Sequence, residues 1–333
     1  MSAGLSEMDE KALVLAVNRA FHEVEAAFYA EHHPEIYAEG ERRRWQRTLA
    51  PAETLFSRGP LRALDIGVGA GFASLMVLDR LPAGSELVCV DLSSEMLLRA
   101  REAMSGSRSD VKKTFICSPV EDLALEAGSV DLVVVNSVLH HLYDAESRLA
   151  AFERWLRPGG RILISHEPNK AHADDPVVRT VRRAYSGARR VLRRAGRLAR
   201  RLVGGGSTDS RGMSAFQAAV AQRLVEDGVF SQETLPPWRE ISRLCDWQSA
   251  TAGGGLDPDR GFDVGRMASG PLSGCRLVAF DTYSFLGKDS PGAAGRILES
   301  ALHAMRPRSG SLFMSHWEKW GAEPPVAGEG RSS

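Results

Sequence analysis

The sequence predicts an α/β fold: a doubly wound, seven-stranded sheet with helices on both faces, N-terminal helices before it, and a helical insertion (a lid) after strand five. Short aliphatic runs alternate with helical stretches between residues 61 and 168, the order expected of successive βα units. The run DLVVVN at 131–136 is almost continuously aliphatic, as in a strand buried on both faces of a parallel sheet. The chain has 333 residues, 43% of them hydrophobic, which is enough for a large core.

The first strand ends in a turn rich in glycine. Residues 61–66 suit a buried strand, and Gly67, Gly69 and Gly71 follow before a helix predicted to begin at Phe72. Glycines let the backbone pass close to a ligand. A dinucleotide-binding fingerprint needs G-x-G-x-x-G, but the third glycine comes one residue early here, which argues against a nicotinamide cofactor.

The second strand, predicted at 86–90, ends in the acidic residue Asp91. A carboxylate at the tip of this strand accepts hydrogen bonds from a ribose diol in nucleotide-binding α/β folds. Ser93 or Ser94 is the expected N-cap of the next helix, and Leu92 and Met96 are available to touch an adenine. The sequence therefore predicts a nucleoside at this edge of the sheet.

Three further strands complete the parallel part of the sheet. They are predicted at 114–117, 131–136 and 161–165, and a helix at 145–156 is closed by a Pro-Gly-Gly break. The segment VLHHL follows the fourth strand, and His166 and Glu167 follow the fifth.

Four motifs at ordered spacing resemble those of class I S-adenosylmethionine-dependent methyltransferases of the small-molecule type. They are D-x-G-x-G-x-G from Asp65, the acid at Asp91, L-H-H-L at 139–142 and L-R-P-G-G at 156–160, and together they cover residues 61–168. The resemblance implies a Rossmann-like fold with S-adenosylmethionine as cofactor. It implies that the glycines lie against the methionine part and that Asp65 helps to hold its amino group.

The resemblance also bears on the adenine. Members of the family often carry an acid after the third strand that contacts the adenine amino group, but this position aligns with Pro119 here. The backbone of Val120 or the side chain of Glu121 then takes its place. The predicted cofactor-binding residues are Asp65, Gly67, Gly69, Gly71, Asp91, Leu92, Met96, Val120, Glu121 and Asn136.

Residues 1–58 are predicted to form an N-terminal helical cap. A capping box at 6–9 precedes an apolar stripe from Val14 to Phe28, and a second helix is predicted at 35–55. The resemblance implies that such helices cover the cofactor and makes Tyr29 and Tyr37 candidates to approach the methyl donor, although aromatic rings more often fill cores.

The second half of the chain is predicted to complete the fold. Residues 169–271 show no strand alternation and are predicted as a helical insertion that forms an acceptor lid. Residues 272–320, which with 59–168 form the core, add strands at 275–286 and 311–320 around a helix at 292–305. In the family's order the last strand is antiparallel between the fifth and sixth. Residues 321–333 are rich in Pro, Gly and Ser and are expected to be disordered.

Catalytic candidates come from the ends of strands four and five, where a doubly wound sheet holds its acceptor. A hydroxyl acceptor would use a base within hydrogen-bond reach. His166 is the preferred base, with His140 and Glu167 as the other candidates, whereas His141 is interpreted as a residue that caps or packs a helix start.

The predicted function is methyl transfer (EC 2.1.1) from S-adenosylmethionine to a small-molecule acceptor, whether natural-product-like, lipid-like or carrier-bound, by in-line displacement. A protein that binds the cofactor without transferring methyl, in a cyclase-like or regulatory role, is the alternative, and a dehydrogenase ranks third. The four cysteines are far apart and show no metal-ligand spacing. Metal-dependent members of the family need carboxylates grouped at the acceptor, and none is evident here beyond Glu167, so no metal is expected and activity should survive chelation.

The expected location is the cytoplasm, because no secretion signal or membrane-length apolar run is readable. The chain is neutral overall, yet the segment from Arg179 to Leu202 has ten arginines and no acidic residue. Three interpretations of Arg179 to Arg201 stay open: a solvated helix paired with the acidic body or with a partner in a homodimer, a helix on an anionic membrane surface, and a docking site for an acidic carrier protein. Nucleic acid is not expected, since no aromatic-basic reading module accompanies the run.

Overall fold

The computed structural model describes residues 9–34, 38–202, 211–247, 261–286 and 292–321. It confirms the predicted fold: seven strands form one sheet in the order β3-β2-β1-β4-β5-β7-β6. The strands are β1 (Arg62–Ile66), β2 (Glu86–Asp91), β3 (Lys112–Cys117), β4 (Val130–Asn136), β5 (Leu156–Pro168), β6 (Cys275–Tyr283) and β7 (Leu312–Lys319). Strands β1 to β5 pair in parallel, and β7 lies antiparallel between β5 and β6, as predicted.

Helices pack on both faces of this sheet and above its edge. The helices are α1 (Glu10–His32), α2 (Glu39–Leu49), α3 (Glu53–Phe56), α4 (Phe72–Leu78), α5 (Ser94–Ala103), α6 (Ala145–Trp155), α7 (Lys170–Asp174), α8 (Pro176–Leu202), α9 (Arg211–Glu226), α10 (Trp238–Cys245), α11 (Val264–Ser269) and α12 (Ala293–Met305). Helix α4 begins at the predicted Phe72. Ser93 is the N-cap of α5, where its side chain accepts a hydrogen bond from the Met96 backbone N–H at 3.2 Å.

Three predicted elements differ most from the structure in their bounds. The helix predicted at 35–55 stops at Leu49, because Pro51 enters a 3₁₀ turn (Ala50–Ala52) before the short α3. Strand β5 begins at Leu156, directly after α6, and reaches its regular register only at Arg161, past an irregularity. Strand β6 ends at Tyr283 rather than at residue 286. Ser6, Tyr37, the glycine runs at 204–206 and 253–255, and the tail after residue 321 lie outside the described residues.

The core lies in two apolar layers on opposite faces of the sheet. One contains Phe152, Trp155 and Trp317, and the other contains Trp45 and Leu78. A separate apolar cluster joins α1 to α9 and α10 through residues such as Val17, Phe216 and Ile241. These helices therefore form a layer of their own, while the predicted boundaries of the lid stay predictions. Among the described residues, no helix combines the length and the apolar character that crossing a membrane requires.

Candidate active site

One cavity of about 450 Å³ opens at the C-terminal ends of β1, β2 and β4. The strand order reverses between β1 and β4: the chain continues from β1 toward β3 on one side and from β4 toward β5 on the other. Open α/β sheets bind ligands in the crevice that forms at such a point. The cavity is lined by the glycine turn, by Asp91, by the 3₁₀ turns after β3 (Val120–Asp122) and after β4 (Leu139–His141), and by one side of α1. It therefore gathers residues from most of the motifs that the sequence singles out.

The glycine turn keeps bare backbone against the cavity. Gly67, Gly69 and Gly71 all have positive φ, a conformation that residues with a side chain rarely adopt. A Cβ atom at Gly67 would lie 2.3 Å from Cγ2 of Val138, so no side chain fits there. Gly67 and Gly69 line the cavity, whereas Gly71 caps α4 and faces Ala100.

Asp91 lines the cavity at the tip of β2 and is fixed by two backbone hydrogen bonds. Its Oδ2 accepts from the Gly69 N–H at 2.8 Å and its Oδ1 accepts from the Ser93 N–H at 2.9 Å. Burial raises the pKa of Asp91, whose side chain keeps further lone pairs for a ligand. The carboxylate thus ties the glycine turn to α5 at the point where a ribose is predicted.

Asp65 lies behind the turn rather than on the cavity wall. It is 1% exposed, and its Oδ2 accepts a hydrogen bond from the Ser74 hydroxyl at 2.5 Å. Its Oδ1 is buried without a hydrogen-bond partner among the described residues, and burial raises its pKa to about 7. The predicted contact with the cofactor's amino group stays a prediction.

The walls beside Asp91 are apolar with one buried acceptor. Leu92, Met96 and Val120 line this part of the cavity, and their contact with an adenine stays a prediction. Glu121 also lines it, and its Oε1 is buried without a hydrogen-bond partner among the described residues. Burial raises the pKa of Glu121. An unpaired buried acceptor is costly, so this atom fits a ligand amino group better than the Val120 backbone does.

The opposite side of the cavity is rich in titratable groups. It is formed by Asn18, His22, Glu25, Tyr29 and His33 on α1, by His140 and His141 after β4, by His166 on β5, and by Cys245 and Asp246 at the end of α10. Asn136, predicted to bind the cofactor, lies on the same cavity wall at the end of β4. Tyr29 has its hydroxyl 3.5 Å from the position that a Cβ atom on Gly69 would take.

Glu167 holds the turn after β4 in place. Its side chain is fully buried, and its Oε1 accepts from the N–H groups of Val138 at 2.7 Å and Leu139 at 2.8 Å. Its Oε2 lies 2.8 Å from Nδ1 of His140. Glu167 does not line the cavity, so its contacts are those of a group that positions His140 rather than of a base that meets an acceptor.

His166 lines the cavity in a strained conformation, with φ of 60°. Its Nδ1 lies 3.1 Å from the hydroxyl of Tyr283, and the Arg44 guanidinium stacks 3.6 Å from the centre of that ring. Burial raises the pKa of Tyr283 above its ordinary range. Tyr283 therefore stays neutral and can donate to His166 or accept from it.

Charge is balanced within the α1 side of the cavity. Burial alone would raise the pKa of Glu25, but hydrogen bonds with His22 and His33, both at 3.0 Å, outweigh it and lower the pKa. Burial opposes the charged form of His22, yet Glu25 outweighs it and raises the pKa of His22. Burial and the neighbouring His140 and His22 lower the pKa of His141 well below its ordinary value.

Sequence reasoning placed Tyr29 of the N-terminal helices near the cofactor but missed the polar side chains of α1 and the contribution of α10. Asn18, His22, Glu25 and His33 recur at helical spacing beside the predicted apolar stripe, a polar stripe that the sequence already contains. Cys245 and Asp246 carry no sequence signal, because only the packing of α10 against α1 brings them to the cavity.

The strand order, the glycine turn and the anchored Asp91 define the class: this chain contains a class I S-adenosylmethionine-dependent methyltransferase domain. Residues 64–164 match the family described as Methyltransferase domain. S-adenosylmethionine is the cofactor of the class, and the unpaired Glu121 Oε1 and the lone pairs of Asp91 fit its adenosine.

Curated relatives match the same region. The chain is 29% identical over 122 residues to a ubiquinone/menaquinone biosynthesis C-methyltransferase of Geobacter sp. (strain M21), covering 37% of this chain and 51% of that protein. It is 36% identical over 105 residues to a ubiquinone biosynthesis O-methyltransferase of Xanthomonas oryzae pv. oryzae, 31% of this chain and 42% of that protein. A carboxy-S-adenosyl-L-methionine synthase of Hydrogenovibrio crunogenus is 30% identical over 105 residues, 31% of this chain and 41% of that protein. The chain spans about half the length of these relatives.

Proposed function

We propose that this chain transfers a methyl group from S-adenosylmethionine to a small-molecule acceptor. The observation that carries the proposal is a single cavity that is lined by Asp91 and the glycine turn on one side and by polar side chains of α1, β4 and β5 on the other. Cofactor and acceptor would then share one enclosure, as in-line displacement requires. When bound, the sulfonium supplies an activated methyl group to a nucleophile.

The residues on the cofactor side bind and orient. Asp91 accepts hydrogen bonds from the ribose hydroxyls, and Glu121 accepts one from the adenine amino group. Leu92 and Met96 cover the adenine faces. Gly67 and Gly69 let the methionine part lie on backbone, where a side chain would take its space.

His140 serves as the base when the acceptor is a hydroxyl. Its imidazole lines the cavity, and the buried Glu167 holds its Nδ1 at 2.8 Å, an arrangement in which a carboxylate fixes the orientation of a base. Glu167 is then a positioning residue. His166, paired with Tyr283, is the second candidate for the same proton, and it is the base that sequence reasoning prefers.

A product assay tests the proposal. The full chain is incubated with S-adenosylmethionine and a panel of acceptors, and S-adenosylhomocysteine is measured together with the mass of the product. Because relatives are named for ubiquinone and menaquinone biosynthesis, the panel begins with ring-hydroxyl and ring-carbon acceptors of quinone type. Formation of both products supports methyl transfer. Cofactor binding without either product, across the panel, would favour the binding-only alternative.

The role of His140 is tested in the same assay. His140→Gln should lower kcat about 100-fold with a hydroxyl acceptor, the size expected for loss of a general base, and much less with an acceptor that is already nucleophilic. His303→Gln is the control, because His303 pairs with Asp281 on the edge strand β6 and does not line the cavity. An equal effect of His140→Gln on every acceptor would remove it as the base.

A further inference from the structure

Three side chains with metal-binding chemistry meet on the α1 side of the cavity. His22 lies on α1, His141 follows β4, and Cys245 ends α10. One donor atom of each lies within 4.8 Å of the donor atoms of the other two. Sequence distance hides this group, since more than 100 residues separate each member from the next.

Both histidines are held in a way that suits metal ligands. Nδ1 of His22 lies 3.0 Å from Oε2 of Glu25, and Nδ1 of His141 lies 2.9 Å from the Cys245 carbonyl. A histidine that binds a metal usually donates its other ring N–H to a carboxylate or a backbone carbonyl, which fixes the tautomer and the ring. In His22 the occupied Nδ1 assigns metal binding to Nε2. In His141 the nitrogen beside the thiol is Nδ1, which lies 3.8 Å from Sγ of Cys245, so a metal bound there would replace its contact with the Cys245 carbonyl.

We propose that His22, His141 and Cys245 bind one divalent transition-metal ion of the Zn²⁺ type. Imidazole nitrogen and thiolate sulfur are the donors that Zn²⁺ prefers. All three residues line the cavity, so a fourth position would face it, and three protein ligands with one open position are the pattern of catalytic zinc sites. Asp246 adds negative charge beside the site, with Oδ1 3.6 Å from Nδ1 of His141.

The competing arrangement is a hydrogen-bonded cluster that holds no metal. In it the Cys245 thiol donates to Oδ1 of Asn18 at 3.6 Å, and the rings of His22 and His141 pack edge to face with centres 4.8 Å apart. The two arrangements differ in one measurable property. Only the metal site places a thiolate sulfur on the ion.

Cobalt titration distinguishes them. The purified full chain is stripped with a chelator, dialysed and titrated with Co²⁺, and a thiolate-to-cobalt charge-transfer absorption that saturates at one equivalent is expected. Zn²⁺ should bleach this absorption, and competition with a chromogenic chelator then gives the Zn²⁺ affinity. The readout is metal binding itself, so it does not depend on methyl transfer.

Four variants make the assignment specific. Cys245→Ser should abolish the charge-transfer absorption. His141→Gln should weaken Zn²⁺ binding by about 100-fold or more, since loss of a residue that only hydrogen-bonds to a metal ligand already lowers metal affinity by about 10- to 100-fold. Glu25→Gln changes a residue that hydrogen-bonds to the ligand His22, so it should weaken Zn²⁺ binding by about 10- to 100-fold. Cys275→Ser is the matched control, because Cys275 is also a buried free cysteine but lies on β6.

Two outcomes of the cobalt titration would overturn the proposal: no charge-transfer absorption in the wild-type chain, or an absorption that persists in Cys245→Ser. Thermal unfolding of each variant shows whether it is folded, and if Cys245→Ser is not, an unchanged Zn²⁺ affinity in His141→Gln overturns the proposal equally. A bound metal would contradict the sequence-based expectation that the chain holds none.

Discussion

At the residue scale, Asp91 both supports the glycine turn and faces the ligand. Asp91→Ala should weaken S-adenosylmethionine binding by about 1.5–3 kcal/mol, roughly 10- to 150-fold, because hydrogen bonds to a charged acceptor are lost. The measurement is calorimetric titration with the cofactor. Asp122→Ala is the control, since Asp122 is exposed at the end of the 3₁₀ turn after β3 and does not line the cavity. Unchanged affinity in Asp91→Ala would contradict the site.

Gly69 gives a second prediction at this scale. A valine there would have to hold a φ of 52° and would place its Cβ 3.5 Å from the Tyr29 hydroxyl, inside the space predicted for the methionine part. Gly69→Val should therefore abolish measurable cofactor binding. Gly128→Val separates strain from obstruction, because Gly128 has a φ of 68° with open space around it. The control should lose thermal stability yet keep its affinity; equal affinities in both variants would refute the obstruction.

Residue-scale sequence reasoning succeeds where backbone geometry restricts the residue type. The glycine turn and Asp91 can be predicted because positive φ demands glycine and a strand tip demands a short acid. Glu167 shows the limit. Its sequence position beside His166 suggests catalysis, but the pleat turns it away from the cavity, onto the backbone of the turn after β4.

At the scale of elements, a charge cluster ties the three strands at the antiparallel edge. Glu318 on β7 lies opposite Arg161 on β5 and Arg276 on β6. Its Oε2 lies 2.7 Å from Nη1 of Arg161 and 2.8 Å from Nε of Arg276. Arg161 is 4% exposed, so it depends on this carboxylate for its counter-charge.

Glu318→Gln should lower the free energy of unfolding by about 3 kcal/mol at neutral pH, because a buried guanidinium is left without its counter-charge. Burial alone would raise the pKa of Glu318, but the arginines outweigh it and hold the pKa below 4.5. A lowered pKa stabilises the folded state above pH 4.5, and this stabilisation is lost as the pH falls through the folded value. The difference between wild type and variant, measured by denaturant unfolding, should therefore shrink below pH 4.5.

Glu86→Gln is the matched control for this prediction. Glu86 pairs with Lys112 across β2 and β3 at 2.7 Å, but the lysine side chain is 73% exposed. An exposed pair contributes at most about 1 kcal/mol, so this variant should be nearly as stable as the wild type. Equal losses in the two variants would show that burial of Arg161 is not the cause.

Element types were more predictable than element ends. Long aliphatic runs such as residues 132–135 of β4 are visible because burial on both faces of the sheet favours apolar side chains at successive positions. The start of β5 could not be predicted, because Pro-Gly-Gly is typical of a loop. In the structure Arg157 to Gly160 continue the strand after Leu156. Leu156 pairs with Val130 of β4, and residues 157–160 form an irregularity before the pairing resumes at Arg161.

At the scale of the whole molecule, the arginine-rich helix α8 is anchored at one end. Val178, Val181 and Tyr185 pack with residues of α12 and the segment after β6. Further along, Val191 and Leu192 are 66% and 70% exposed. Leu192 is thus an uncovered apolar side chain next to the exposed Arg190 and Arg194.

This combination of exposed apolar and basic side chains is typical of a helix that lies on an anionic surface. An α8 variant in which four exposed arginines are replaced by glutamine should co-sediment less with vesicles that contain anionic lipid. The four are Arg179, Arg183, Arg190 and Arg194. Added salt should weaken wild-type binding in the same way, because it screens exposed charges. Vesicles of neutral lipid should bind neither protein.

The control variant removes the same charge from four other exposed positions and should leave vesicle binding nearly unchanged. It carries glutamine in place of Arg42, Arg43, Arg99 and Arg154. If α8 instead neutralises acidic groups of its own chain or of a second copy, the opposite pattern follows. The α8 variant would then lose thermal stability or change its oligomeric state, measured by unfolding and by light scattering, and the wild type would not bind vesicles at any salt concentration. Because only the membrane interpretation predicts salt-sensitive binding of the wild type to anionic vesicles, the vesicle titration of the wild type alone is enough to reject it.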